Sequence, residues 1–245
     1  MKSKRLIVVS LDALSSTDFD VFSKLPNFKK FIRHAACCRQ VRSVYPSLTY
    51  PAHTSIVTGR TPAHHGIVNN ILLQPERSSP DWYWQRNYIR GTTLYDEALK
   101  QGKHVAALLW PVTAKSEITW NLPEIFANRR WTNQILTSAA NGTVGYQLML
   151  NHKFGRLRDG IRQPALDNFV HASLKYTLKT YRPDLTLVHF TDLDTQRHHY
   201  GVNSEEAAAA IKRHDERIGE LMHLLHQNRM SVKRDTTVII LGDHS

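Results

Sequence analysis

Residues 45–70 read YPSLTYPAHTSIVTGRTPAHHGIVNN. Pro51 suits the first turn of a helix, where its fixed φ is preorganised and its missing N–H costs nothing. Small and apolar residues through Ile56 and Val57 carry the helix on, and Gly59 supplies a stop. Thr49 therefore falls at a helix N-terminus, where unpaired N–H groups and the helix dipole favour an anion. That is a place for a phosphate, and for an alkoxide that attacks it. A threonine there also serves simply as an N-cap, and this stretch alone does not choose between the two.

Upstream, Leu6–Leu11 is a short β-rich run that ends in Asp12. Pro26 opens a helix that carries Phe28, Phe31 and Ile32, and residues 36–44 read as a second strand. Downstream, Thr93–Gln101 reads as a helix capped by Thr92 or Thr93 and ended by Gly102. His104–Trp110 is an apolar strand closed by Pro111. A helix over 165–180, a strand at Leu185–Phe190, a long helix over Ser204–Asn228 and a last strand at Thr236–Leu241 follow. Strands alternating with helices predict an α/β fold with a mostly parallel sheet covered on both faces. Ligands in such sheets bind beyond the C-terminal ends of the strands. Residues 72–92 and 112–164 are less regular and read as cap-like excursions over that end. No linker divides the chain, so 1–245 reads as a single domain.

Composition narrows the classes. With 245 residues the chain can bury a sizeable core, and 41% hydrophobic residues is ordinary for a globular protein. The net charge of +11 raises nucleic-acid binding. The basic residues, however, are scattered (Lys29, Lys30, Arg129, Arg130, Lys233, Arg234) and carry no nucleic-acid motif. A generally basic surface that attracts phosphorylated small molecules is the more economical reading. The only cysteines, Cys37 and Cys38, are adjacent, which excludes a disulfide framework. Placed in a strand they read as buried and reduced, which fits a cytoplasmic protein. The N-terminal MKSKRLIVVSL has too short an apolar run for a signal peptide or a membrane span. Nothing in the sequence speaks to oligomeric state.

The chemistry-bearing residues gather at strand ends. Asp194 and His198 are four positions apart, so one helical turn puts both on one face, where they can share a metal. Asp243 and His244 directly follow the last strand, and Asp12 follows the first. Carboxylate with imidazole suits zinc or another first-row metal, whereas calcium and magnesium sites use oxygen almost alone. Any one of these groups alone is as readily a surface ion pair. Three such strand ends converging on Thr49 argue for a site.

At this point the chain resembles the alkaline phosphatase superfamily, and within it the nucleotide pyrophosphatase/phosphodiesterase (type I phosphodiesterase) branch. The matching pieces are VVSLDA, the 45–70 segment, LLWP, DTQRHHYG and LGDH, in the family's order along nearly the whole chain. The resemblance implies a three-layer α/β/α fold and a site for two divalent metals, zinc foremost and manganese as the alternative. It implies that Asp12, Thr49, Asp243 and His244 hold one metal, with Thr49 as the nucleophile, and that Asp194 and His198 hold the other. Asn70 falls where the family places an amide that donates to a phosphoryl oxygen. Tyr50 matches an aromatic that stacks on a nucleobase, with packing against the cap as the equal alternative. Asp192 is at most a supporting residue, and His53, His64, His65 and His199 are not expected as ligands.

Two departures stand out. The family completes its second metal with a histidine further along, for which the chain, ending at Ser245, offers no candidate. Ser245 also stands where the family commonly has Gly. The expectation is thus a truncated member, its C-terminal part missing. Its activity would be hydrolysis of phosphodiester or pyrophosphate bonds in a small nucleotide-like substrate, through a phosphothreonine intermediate with net retention at phosphorus. The alternatives are a phosphomonoesterase or phosphonate hydrolase of the same superfamily, or an impaired fragment that only binds. A sulfatase is disfavoured, because Thr49 cannot become formylglycine.

Overall fold

Arg5–Leu11 forms β1, and the rest of the sheet is laid down on either side of it. The computed structural model describes residues 5–129, 131–228, 230, 232 and 235–244. Arg130, Lys233, Arg234 and Ser245, named above, lie outside the described residues. After β1 come α1 (Phe19–Phe22), α2 (Pro26–Ile32), α3 (Thr49–Thr58), α4 (Pro62–His65), α5 (Leu94–Lys100), β2 (Val105–Leu108) and β3 (Trp120–Leu122). Then follow α6 (Gln134–Ala139), α7 (Val144–Phe154), α8 (Ala165–Thr180), β4 (Leu185–Phe190), α9 (Asp192–Tyr200), α10 (Glu205–Gln227) and β5 (Thr236–Leu241). The sheet order is β3-β2-β4-β1-β5, and every pairing is parallel.

Period-2 alternation on β1 sorts its side chains between two layers of helices. Ile7, Val9 and Leu11 face one way and pack with Phe169, Leu174 and Leu178 of α8 and with Ile211, Ile218 and Leu221 of α10. Val8 faces the other way and joins Val57 of α3, Tyr95 of α5, and Ala107 and Leu187. The result is the three-layer α/β/α arrangement. Because all five strands run the same way, Asp12, the start of α9 and the Asp243-His244 pair emerge at one end of it.

Local signals in the sequence account for several element ends. Thr93 caps α5, accepting from the Asp96 N–H at 3.2 Å while Asp96 takes the Thr93 N–H at 2.8 Å. Ser204 caps α10 by accepting from Ala207 at 3.1 Å. Gly59 closes α3 in the left-handed region at φ 64°.

Three expectations need correction. Residues 36–44 form no strand. Both sides of β1 are already taken by β4 and β5, and Arg39 and Arg42 break up the apolar run. Val41 is 78% exposed. Cys37 and Cys38 are accordingly exposed thiols rather than buried ones, and the support they lent to a cytoplasmic placement falls away. Lastly, residues 112–164 do more than cover the site. Trp120–Leu122 pairs with β2 to extend the sheet, and Tyr146 and Leu150 of α7 enter the main core. A three-residue strand is too short to show a period. Residues 72–92 do sit over the start of α3, where Trp84 and Ile89 pack with Tyr50, Ile67, Val112, Ala114 and Ile125. No helix among the described residues is long and apolar enough to cross a membrane.

Two histidines in the α8/α10 layer make the fold sensitive to acid. Burial, with the charge of Arg217 beside it, pushes the His214 imidazole down to about 3. Burial and Lys175 push His171 down to about 4, against the opposing pull of Glu220. Both stay neutral in the folded chain at pH values where the unfolded chain protonates them, so stability falls as pH drops below the ordinary histidine value. From about pH 7.5 to about pH 5 the loss amounts to about 2 kcal/mol for each histidine. Urea unfolding at the two pH values is expected to show it, with the His171→Gln/His214→Gln double variant losing these two contributions and keeping those of His53 and His65, which burial also pushes down.

Candidate active site

Leu48, at the N-cap position of α3, has no side-chain oxygen to cap the helix. Thr49 is the first helical residue, one position inside the cap. Its hydroxyl is turned outward, with Oγ1 3.0 Å from His244 Nε2. The simple N-cap role is therefore not the one Thr49 plays. Tyr50 N–H, the next donor of the helix start, is taken by Asn70 Oδ1 at 2.9 Å. That contact fixes which end of the Asn70 amide faces the helix and leaves its NH2 group to donate elsewhere.

Asp12, at the end of β1, is buried between two imidazoles. Its Oδ2 lies 3.1 Å from His189 Nε2, and its Oδ1 lies 3.1 Å from His244 Nε2. Burial raises its carboxyl, yet the two histidines together hold it well below the usual carboxylate range. Asp243 is buried as well. Its Oδ1 accepts from the Ala13 N–H at 3.2 Å, and its backbone carbonyl accepts from Ser43 Oγ at 2.7 Å. Burial and the charge of Asp12 push the Asp243 carboxyl up to about 8. The same two causes push Asp194, on α9, up to about 6. His244 goes the other way: burial opposes its charge, but Asp12 and Asp243 push it up to about 9.

Ligand atoms of Asp12, Asp194 and His244 lie within 4.8 Å of one another. His198 Nε2 is 3.4 Å from Asp194 Oδ1 across one turn of α9, and its side chain is 76% exposed at the rim. The residues present fit a divalent cation. Buried Asp12 Oδ1 and Asp243 Oδ2 find no well-directed hydrogen bond, which is costly for carboxylates unless a cation meets them. The mixed oxygen and imidazole donors suit zinc or a neighbouring first-row metal.

A model of the type I phosphodiesterase/nucleotide pyrophosphatase family matches residues 6–245. The chain belongs to that family. Human ectonucleotide pyrophosphatase/phosphodiesterase family member 1 is 26% identical over 231 residues, covering 90% of this chain and 21% of the relative. A venom phosphodiesterase of Macrovipera lebetinus is 26% identical over 251 residues, covering 98% of this chain and 25% of its own length. Among solved structures, an inactive variant of murine ectonucleotide pyrophosphatase/phosphodiesterase 5 in complex with AMP superposes with a TM-score of 0.67 at 19% identity. It is matched over 100% of this chain and 57% of its own. The human form of that protein gives a TM-score of 0.65 at 20% identity. These superpositions speak to fold. The chain spans about a fifth to a quarter of the length of these curated relatives.

Within the family frame, Thr49, Asp12, Asp194, Asp243, His244 and Asn70 meet around the start of α3, with His198 at the edge. Tyr50 does not present a face to a ligand. Its ring is wholly buried, edge-on to Trp82 at 5.3 Å and packed with Trp84 and Ile89. The alternative of packing against the cap is the one found. Asp192 stays off the site. It is buried and accepts from Arg213 Nε at 2.7 Å and Nη2 at 2.9 Å, which anchors the start of α9.

Sequence reasoning missed His189 and Glu124, and it saw in His53 no more than a residue not expected to ligate. His53, one turn after Thr49, donates Nδ1–H to the Thr49 carbonyl at 2.7 Å and accepts from Ser10 Oγ at 2.9 Å. It ties the first turn of α3 to β1. His189 interrupts the apolar run LTLVHF one residue before its end, a visible signal. Glu124 has none.

Three converging carboxylates repel one another without a cation between them. Asp243→Asn is therefore expected to leave the melting temperature in EDTA unchanged or slightly higher. The unaltered chain is expected to melt higher on adding zinc or manganese, and Asp243→Asn to lose that rise. Differential scanning fluorimetry reads both.

Proposed function

We propose that the chain is a metal-dependent phosphodiesterase acting on phosphodiester or pyrophosphate bonds of a small nucleotide, with Thr49 as nucleophile. The observation that carries this reading is the Thr49 hydroxyl, set in the first turn of α3 and directed at His244 among the converging carboxylates. Asp12, Thr49, Asp243 and His244 would hold one divalent metal, and Asp194 with His198 the other, zinc foremost and manganese as the alternative. Bound metal supplies Lewis acidity: it makes an alkoxide accessible at neutral pH and offsets charge on phosphoryl oxygens.

The chain's own groups supply position and polarity. Thr49 Oγ1 gives up its proton and forms a bond to phosphorus as the bond to the leaving oxygen breaks, which leaves a phosphothreonine. Asn70 Nδ2 and the N-terminal dipole of α3 face the charge on the non-bridging oxygens. Water then attacks the phosphothreonine on the side the leaving group vacated, releasing the phosphate monoester and restoring the hydroxyl. Two in-line displacements give net retention. The AMP bound to the murine relative supports a nucleoside monophosphate as the product retained. With Tyr50 buried, the base is expected to contact other residues.

The test is hydrolysis of bis-p-nitrophenyl phosphate and p-nitrophenyl phosphate with added zinc or manganese. Metal-dependent cleavage of the diester, lost at least about 1,000-fold in Thr49→Ala, is the expected result. Preference for the monoester would reassign the chain to a phosphomonoesterase. Failure to turn over either compound, with one metal or fewer bound, would identify a fold that binds without catalysing.

A further inference from the structure

We infer that His189, clamped by Glu124, is a positioning residue that fixes the Asp12 carboxylate for metal binding. The inference rests on the metal-dependent reading above. In the parallel register His189 of β4 lies opposite Ser10 of β1, and Asp12 follows two residues on, so all three share one face of the sheet. His189 is wholly buried. Its Nε2 lies 3.1 Å from Asp12 Oδ2, while its Nδ1 faces Glu124 Oε2 at 3.0 Å and the Leu109 carbonyl at 3.2 Å. A line of polar contacts thus runs from Glu124, two residues past β3, through β4, to the end of β1.

A carboxylate turns readily about its last torsion, where the rotamer wells are broad. With Oδ2 engaged by His189, Asp12 keeps Oδ1 toward His244 and Asp194. Glu124 holds the imidazole in turn, as groups behind a metal ligand do when they set its orientation. The rival use of these residues is a separate buried cation site, since ligand atoms of His53, His189 and Asp243 also lie within 4.8 Å of one another. Both His53 nitrogens are taken, by the Thr49 carbonyl and by Ser10. Both His189 nitrogens face carboxylates, Nε2 at ion-pair distance from Asp12 without a well-directed hydrogen bond. A cation there would have to displace the Ser10 contact or separate His189 from a carboxylate.

The test is titration calorimetry with Mn2+ on the whole chain, comparing the unaltered protein with Glu124→Gln, His189→Leu and His189→Gln. Melting in EDTA serves as the control for folding. Metal affinity is expected to fall about 10- to 100-fold in His189→Leu and less in Glu124→Gln. His189→Gln, which keeps a donor for Asp12, is expected to recover most of the loss. Melting of Glu124→Gln in EDTA should match the unaltered chain, and excess Mn2+ should restore its diester hydrolysis. Equal affinity in the unaltered chain, Glu124→Gln and His189→Leu would overturn this inference alone. Absence of Mn2+ binding by the unaltered chain would overturn it together with the functional reading.

Discussion

Asp12 is a carboxylate buried at the end of the central strand, and it remains charged there only because imidazoles meet both of its oxygens. Burying an isolated carboxylate costs several kcal/mol. His189 and His244 offset that cost at 3.1 Å each. The compensation propagates outward. A charged Asp12 makes it harder for Asp243 and Asp194 to ionise beside it, and it makes His244 easier to protonate. Burial is the first cause of each of these shifts, and the charge of Asp12 comes next for both carboxylates.

That place is a consequence of topology. A parallel sheet brings the C-terminal ends of β1, β4 and β5 to one edge, so residues as far apart as Asp12 and His244 become neighbours without any local motif joining them. The helix start at Thr49 is brought to the same edge by α3 packing Val57 under the sheet and by His53 bonding Ser10. The cluster of acids would repel an anionic ligand that the N-terminal dipole of α3 favours. On the proposed reading, a divalent cation among the acids would offset their charge and let the helix start and the metal ligands face one phosphoryl group.

Much of this was legible in the sequence, for identifiable reasons. Strands Leu185–Phe190 and Thr236–Leu241 are bounded by the same residues in the structure as in the reading, because each is a β-rich run that gives way abruptly to Asp-containing segments. The caps at Thr93 and Ser204 announce themselves through side-chain chemistry. Segment 36–44 misled because strand propensity carries no information on whether a sheet edge is open to receive it. Tyr50 stayed open between stacking and packing because its neighbours Trp82, Trp84 and Ile89 come from a loop whose path no period records. Glu124 was invisible, since a carboxylate after Leu122-Pro123 looks like any surface residue until β3 is seen to join the sheet. Among the described residues β5 lies at the sheet edge, with Ile239 41% exposed, a position that its apolar sequence does not announce.

The remaining part of the site is set by a different network, and the separation is informative. Asp192 and Asp167 are both wholly buried, and Arg217 lies 3.3 Å from the first and 3.6 Å from the second. Arg213 adds a two-point grip on Asp192, and Asp167 accepts the Asp192 N–H at 3.1 Å. Buried ion pairs of this kind add little net stability, since desolvation cancels most of the attraction. Their contribution here is positional. They pin the first turn of α9 to α8 and α10, so Asp194, two residues on, is carried to Asp12 by the helix rather than drawn there by its own charge. Like charges are thereby held together by elements that do not share the repulsion. The rigidity of the α8/α9/α10 layer is what keeps the acidic edge assembled, ready for a cation rather than dispersed by its own field.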